Sequence, residues 1–103
     1  MNIQKLMKEA QKAQRQMAEA QERLAAMQVE GSAGGGMVTV TANGDGTVSK
    51  VRIDPGAIDP DDVTLLEDLV TAAVADAQRK AKELQESELG SAVGGLGAMP
   101  GLF

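Results

Sequence analysis

Larger and apolar residues recur at alternating steps of three and four through the first 28 positions. This stretch contains no Gly and no Pro, and strong helix formers make up nearly all of it. The recurring positions are Ile3, Leu6, Ala10, Ala13, Met17, Ala20, Leu24 and Met27. They fill the a and d positions of four heptads, which predicts one helix over residues 2–28. Such a helix is roughly 40 Å long, so part of it should project from a small body or pack on a partner.

The two halves of this helix differ in the size of their seam residues. Met17, Leu24 and Met27 are large enough to bury useful area against a domain body. Ala10 and Ala13 allow close approach but bury little. We therefore expect the half from residue 17 onwards to be anchored, and the half from residue 2 to residue 15 to form a free arm.

Residues 29–53 have the pattern of a small antiparallel sheet. Residues 37–42 alternate apolar and polar side chains of strand-forming types, and residues 47–53 return in the same way. Between them, Asn43-Gly44 predicts a hairpin with a type I′ turn. Residues 29–33 could form a third strand, which the three glycines at 34–36 would end. The sheet thus has two or three strands and one apolar face to cover.

A second helix is predicted over residues 60–89. Asp59 can cap it, Pro60 suits its first position, and Gly90 suits its end. Its apolar positions follow the period of a helix lying on a sheet: Val63, Leu66, Leu69, Val70, Ala73, Val74, Ala77, Ala81 and Leu84. Residues 1–90 then make one domain, and the Gly-rich residues 91–103 a mobile tail. The apolar pair Leu102-Phe103 could dock at a place that the sequence does not specify.

Composition narrows the class of protein. In 103 residues there is one aromatic, Phe103, so the core must be thin, which favours a homo-oligomer. The chain has no Cys and no His, which excludes a disulfide framework and a zinc site. It has no apolar run of 18 residues and no secretory signal, so we expect a cytoplasmic protein without a membrane span.

Charge is distributed unevenly along the chain, whose net charge is −5. Residues 1–15 carry four basic side chains and one acidic, whereas residues 51–78 carry one basic and seven acidic. At 100° per residue, Lys5, Lys8, Lys12 and Arg15 occupy one arc of about 80°, away from the seam. Glu19 and Glu22 fall on the same arc further along. The arc is either an anion-binding stripe or a solvated face with pairs such as Glu19–Arg23.

Motifs for catalysis or ligand binding fail when they are tested. Gly31 and Gly36 have phosphate-loop spacing, but Met and Val follow where Lys and Ser or Thr are needed. A calcium loop from Thr41 would place Arg52 at the position that requires Glu. The acids at 59, 61 and 62 could hold a metal, but a helix cap explains them better. No Ser has a general-base partner that the sequence identifies. We therefore expect no enzyme activity, cofactor, metal or small-molecule substrate.

Four segments in the same order resemble the YbaB/EbfC family of bacterial nucleoid-associated proteins. They are GGGMVTVTANG at 34–44, VRIDP at 51–55, LEDLVTAAVADA at 66–77, and GGL at 94–96 with PGLF at 100–103. The resemblance implies an α+β fold with an α-β-β-β-α protomer, in which a long N-terminal helix projects from a small antiparallel sheet and a C-terminal helix. It also implies a tweezer-like homodimer that binds double-stranded DNA in the nucleoid and alters its conformation, with roles in nucleoid organisation, gene regulation and DNA protection.

The resemblance does not identify specific DNA-contacting residues. We therefore predict them from the charge pattern. We expect Lys5, Lys8, Lys12 and Arg15 to contact phosphates with low sequence specificity. Arg23, Lys50 and Arg52 are second-rank candidates. The alternative is a coiled-coil adaptor or holdase whose helical arms bind a protein partner.

Overall fold

The computed structural model describes residues 2–92 and has two helices that flank a three-stranded sheet. The first helix, α1, spans Ile3–Ala26. Strands β1, β2 and β3 span Gln28–Ala33, Val38–Asn43 and Val48–Ile53, and the second helix, α2, spans Val63–Ala92. Short 3-10 turns cover Gly34–Gly36 and Pro55–Ala57. The predicted α+β fold with α-β-β-β-α order is confirmed.

Helix α1 is anchored at one end only. The Asn2 side chain accepts a hydrogen bond from the Lys5 N–H at 3.3 Å and begins the helix. Ala20 and Leu24 are buried, while every side chain from residue 3 to residue 12 is exposed. The first half of α1 therefore projects, which gives the molecule a long axis of 71 Å against 24 and 16 Å in the other directions.

The core lies between β2 and α2. The sheet has the order β1-β2-β3 with antiparallel pairing throughout, and Val40 lies opposite Gly31 on one side and Val51 on the other. Val38 and Val40 are fully buried against α2, together with Ala42, Ala73 and Ala77. Gly31 lets the helix approach closely, because a Cβ there would lie 2.2 Å from the Ala77 backbone nitrogen.

The β2–β3 hairpin turns differently from the predicted type I′ form. Its positive φ falls on Gly46, at 92°, and not on Asn43 or Gly44. The Gly46 N–H donates to the Asn43 carbonyl at 2.9 Å, and the Asp45 carboxylate accepts from the Thr47 N–H at 2.9 Å. This is the pattern of a three-residue hairpin loop closed by a left-handed Gly, so the type I′ prediction is wrong.

Both ends of α2 lie three residues later in the chain than predicted, since the helix spans Val63–Ala92 and the prediction was 60–89. Asp59 accepts from the Asp61 N–H at 2.9 Å and closes a turn that holds Pro60, whereas Asp62 accepts from the Leu65 N–H at 3.2 Å and caps the helix. At the other end α2 continues through Gly90 to Ala92, and Leu89 lines a groove together with Leu24 of α1. Ser91 and Ala92 are thus helical, and the rest of the predicted tail, residues 93–103, lies outside the described residues.

Candidate nucleic-acid interface

Four cations line the exposed side of the projecting half of α1. Lys5, Lys8, Lys12 and Arg15, called the basic stripe below, are all solvent-exposed. They span about 15 Å of helix axis within an arc of about 80°. Within residues 2–92, none of the four forms an ion pair with an acidic side chain. The stripe therefore presents four charges that an external anion can approach.

Arg23, a second-rank candidate, lies at the base of the arm. Its Nε is 3.9 Å from a Glu88 carboxylate oxygen on α2, so it bridges the two helices instead of pairing with Glu19. The Arg23 side chain remains 52% exposed, and an exposed pair at that distance is weak. Arg23 is consequently less free to meet a phosphate than the cations of the basic stripe.

Lys50 and Arg52, the other second-rank candidates, lie on a different part of the fold. Both are exposed on β3, on the face of the sheet that points away from α2, opposite Thr41 and Thr39. Helix α1 packs on α2 and β2. The structure therefore does not bring these two residues into the basic stripe.

Lys80 and Asp76 hold α2 against the free edge of β1, and Arg79 pairs with Asp76. The Lys80 ammonium donates to the Glu30 carbonyl at 2.8 Å, and the Asp76 carboxylate accepts from the Ser32 N–H at 3.0 Å. Arg79 donates to Asp76 at 2.9 Å. None of Asp76, Arg79 and Lys80 was among the candidate residues predicted from the sequence. The i, i+3, i+4 spacing of these residues was the signal that could have found the cluster.

The cluster stabilises the charged form of Asp76. The Ser32 N–H contributes most, followed by Arg79 and Lys80, and together they lower the pKa of the Asp76 carboxyl to about 2. With these cations engaged in the fold, the basic stripe is the main group of positive charges available to a ligand.

The opposite edge of the sheet is uncovered and apolar. Val48, Val51 and Ile53 are called the β3 surface below. They share the face that α2 covers on β1 and β2, yet they are 36%, 43% and 36% exposed. In the part of the chain that the structure describes, all six residues of β3 are solvent-exposed, so this face of the strand is open. An open edge strand with an apolar face is a typical site of association.

No group of three potential metal-binding side chains comes together anywhere in residues 2–92. Over the same residues, neither helix combines the length and apolar character needed to cross a membrane. The acids at 59 and 62 accept backbone hydrogen bonds.

A match to a protein-family model shows which family the chain belongs to. The model of the YbaB/EbfC DNA-binding family matches residues 1–96, which include the whole arm, sheet and second helix. The chain belongs to this family. YbaB/EbfC is a family of nucleoid-associated DNA-binding proteins and not of enzymes.

Relatives named nucleoid-associated proteins match this YbaB/EbfC chain along most of their length. A nucleoid-associated protein of Saccharopolyspora erythraea is 52% identical over 101 residues, covering 98% of this chain and 87% of the relative. One of Acetivibrio thermocellus is 51% identical, covering 99% and 90%. One of Chloroflexus aurantiacus is 50% identical over the whole of both chains.

A solved structure supports the fold. An uncharacterised protein from Helicobacter pylori superposes with a TM-score of 0.77, covering 88% of this chain and 96% of that chain. The two sequences are 20% identical, so the likeness concerns the fold alone.

Proposed function

We propose that the chain binds duplex DNA as a homodimer, through the basic stripe of each arm, and alters the conformation of the DNA. The observation that carries this proposal is the set of four exposed cations, without acidic partners among residues 2–92, on a helix that projects from the body. Glu19 and Glu22 follow on the same arc and mark where the contact with DNA should stop.

The stripe matches the spacing of a phosphate backbone. It extends for about 15 Å along the helix, a distance over which duplex DNA presents several phosphates. The chain has a single aromatic residue, so stacking on unpaired bases contributes little. Gln is the main side chain near the stripe that can read base edges, which favours low or shape-based specificity.

The β3 surface supports the homodimer. Asp76 and Lys80 satisfy outward-facing groups of β1, so that edge is closed to a second sheet. The edge at β3 remains open, and its apolar face would be covered by the same surface of a second copy. Among the residues whose burial the structure describes, every side chain with no exposure is Val or Ala, which makes additional burial between copies valuable.

A dimer with two projecting arms can hold DNA at two places. Contacts at two separated places fix the path of the helix between them, which is how the protein would change DNA conformation. The relatives are named nucleoid-associated proteins, which supports a location in the nucleoid. We extend the proposal to nucleoid organisation, gene regulation and DNA protection on the same basis.

A salt titration of duplex binding tests the DNA contact. Two arms offer at most eight cations, so the slope of log K against log salt should be no steeper than roughly −7. Replacing Lys5, Lys8, Lys12 and Arg15 with Gln preserves helix propensity and should abolish binding, with the oligomeric state unchanged. Unchanged affinity would exclude the stripe as the contact.

Sedimentation tests the dimer with two neighbouring substitutions on β3. Val51→Glu places a charge on the β3 surface and should yield monomers. Lys50→Glu changes the charge more but lies on the other face of the sheet, so this variant should remain dimeric. Equal behaviour of the two variants would show that the β3 surface is not the interface.

The second candidate is an adaptor or holdase that grips a protein through the arms. Ile3, Leu6 and Met7 favour it, because they are 69%, 48% and 58% exposed near the free end of α1. If the unsubstituted protein binds no duplex at low salt, the DNA proposal fails and the adaptor becomes the better account.

A further inference from the structure

An apolar strip near the free end of α1 continues the surface on which α2 packs. The strip, called the arm strip, consists of Ile3, Leu6 and Met7. Each lies 18 residues, or about five helical turns, before Gln21, Leu24 and Ala25 respectively, so each projects in the same direction as its counterpart. Those counterparts line a groove of about 360 Å³ with Asp45, Gln85 and Leu89. Leu24 is 3% exposed there, whereas Leu6 is 48% exposed.

Helix α2 ends before it reaches the arm strip but runs towards it. Gln85 reaches Gly44 beside Met27, whereas Glu88, further along α2, contacts Arg23, which is earlier in α1. The two helices are therefore antiparallel. Ala92 is one turn past Leu89, which leaves roughly 20 Å of α1 between it and Leu6. The next eleven residues can extend for at most about 40 Å, so they are long enough to reach the strip.

The composition of residues 93–103 suits an apolar surface. Five of these residues are large and apolar: Val93, Leu96, Met99, Leu102 and Phe103. No residue of the segment is charged. A second arm is a poorer partner for the strip, because it would bring another cluster with a net charge of +3 beside the first.

We propose that residues 93–103 lie along the arm strip of the same protomer and extend the contact between α2 and α1. The strip is centred about 170° around the helix from the basic stripe, so the segment leaves the proposed DNA contact free. It would also shield the apolar end of the arm from water and support the projecting helix from one side.

Disulfide trapping tests this placement cleanly, since the chain has no Cys. We pair Leu102→Cys with Met7→Cys, and as a control with Glu9→Cys, which is exposed and projects about 160° away from Met7. Docking raises the effective concentration at Met7, so the Met7 pair should oxidise at least about tenfold faster than the Glu9 pair. Equal rates for the two pairs would overturn the proposal.

Isotope mixing identifies which copy supplies the segment. Isotope-labelled and unlabelled Met7→Cys/Leu102→Cys chains are mixed and allowed to exchange subunits. The mixture is then oxidised, and the masses of the linked products are measured by mass spectrometry. Linkage within one chain supports the proposal, and chains of mixed label joined to each other overturn it. Rapid linkage of the single variant Met7→Cys to itself would instead assign the strip to a second arm.

Methyl NMR supplies a readout without new cysteines. Phe103 is the only aromatic residue, so its ring alone can cause ring-current shifts in the Ile3 and Leu6 methyl groups. Phe103→Ala should move these signals and leave buried Val38 unmoved. Unmoved Ile3 and Leu6 signals would contradict the contact. The experiment needs no DNA, so it succeeds or fails independently of the proposed function.

Discussion

The Gly44 N–H donates a hydrogen bond of 2.9 Å to the Met27 carbonyl, which joins the β2–β3 turn to the end of α1. The Gly44 carbonyl accepts a second bond, at 2.8 Å, from the Gln85 side chain on α2. The turn, the arm and the second helix therefore meet at one glycine. This junction sets the direction in which the arm leaves the body.

Gly44→Ala should destabilise the fold at this junction. A Cβ would lie 2.3 Å from the Leu24 carbonyl oxygen, so the end of α1 would have to move away from the turn. We expect the free energy of unfolding to fall by roughly 1–3 kcal/mol, measured by urea denaturation. Gly90→Ala is the control, because a Cβ there meets nothing within 4 Å and Ala favours a helix. Equal stability of Gly44→Ala and the unsubstituted protein would contradict the junction.

Gly31→Ala should separate α2 from β1. The added Cβ would lie 2.2 Å from the Ala77 nitrogen and 2.5 Å from the Ala73 carbonyl oxygen, and backbone atoms cannot rotate away. We expect the free energy of unfolding, measured by circular dichroism, to fall by about 1–3 kcal/mol or more, or the variant to fail to fold. Ser32→Ala, next along the strand and exposed, should stay within about 0.5 kcal/mol of the unsubstituted protein. Tolerance of Gly31→Ala would show that the helix can move off β1 at little cost.

The periodic patterns of the sequence predicted the elements, while hydrogen bonds of single side chains set the start of α2 and the form of the hairpin turn. The alternation of Val38, Val40 and Ala42 placed the buried face of β2 correctly. Gly90 was wrongly predicted to end the helix, which continues through it to Ala92. The Asp45 carboxylate accepts the Thr47 N–H and the positive φ falls on Gly46, so the turn forms around Asp45-Gly46 and not around Asn43-Gly44.

The candidate site was predictable only in part, because local periodicity groups nearby residues but does not reveal contacts between distant segments. The helical period alone brings the basic stripe onto one face of α1, so sequence could group those four residues. The Arg23–Glu88 contact joins residues far apart in the chain, and so does the hydrogen bond from Lys80 to Glu30. No local spacing could show which cations the fold had already engaged.

Stability should decline as Asp76 becomes protonated. Its folded-state pKa of about 2 lies below its ordinary value of 3.8, so the fold favours the carboxylate. The contribution is therefore complete above pH about 4 and is lost as the pH falls towards 2. Asp76→Asn should lower the urea midpoint at neutral pH, and the difference from the unsubstituted protein should shrink between pH 4 and pH 2. Exposed Asp68→Asn is the control, and a difference for Asp76→Asn that stays constant with pH would contradict the linkage.

Salt dependence of DNA binding should distinguish the arm from the sheet at equal net charge. Lys5→Gln with Lys12→Gln removes two stripe cations per protomer, or four per proposed dimer. The slope of log K against log salt should become shallower by at most about 4, and the affinity at low salt should fall. Lys50→Gln with Arg52→Gln removes the same charge from β3 and should leave the slope nearly unchanged. If the two β3 substitutions make the slope as shallow as the two arm substitutions do, net charge governs binding. The basic stripe would then not be the specific DNA contact.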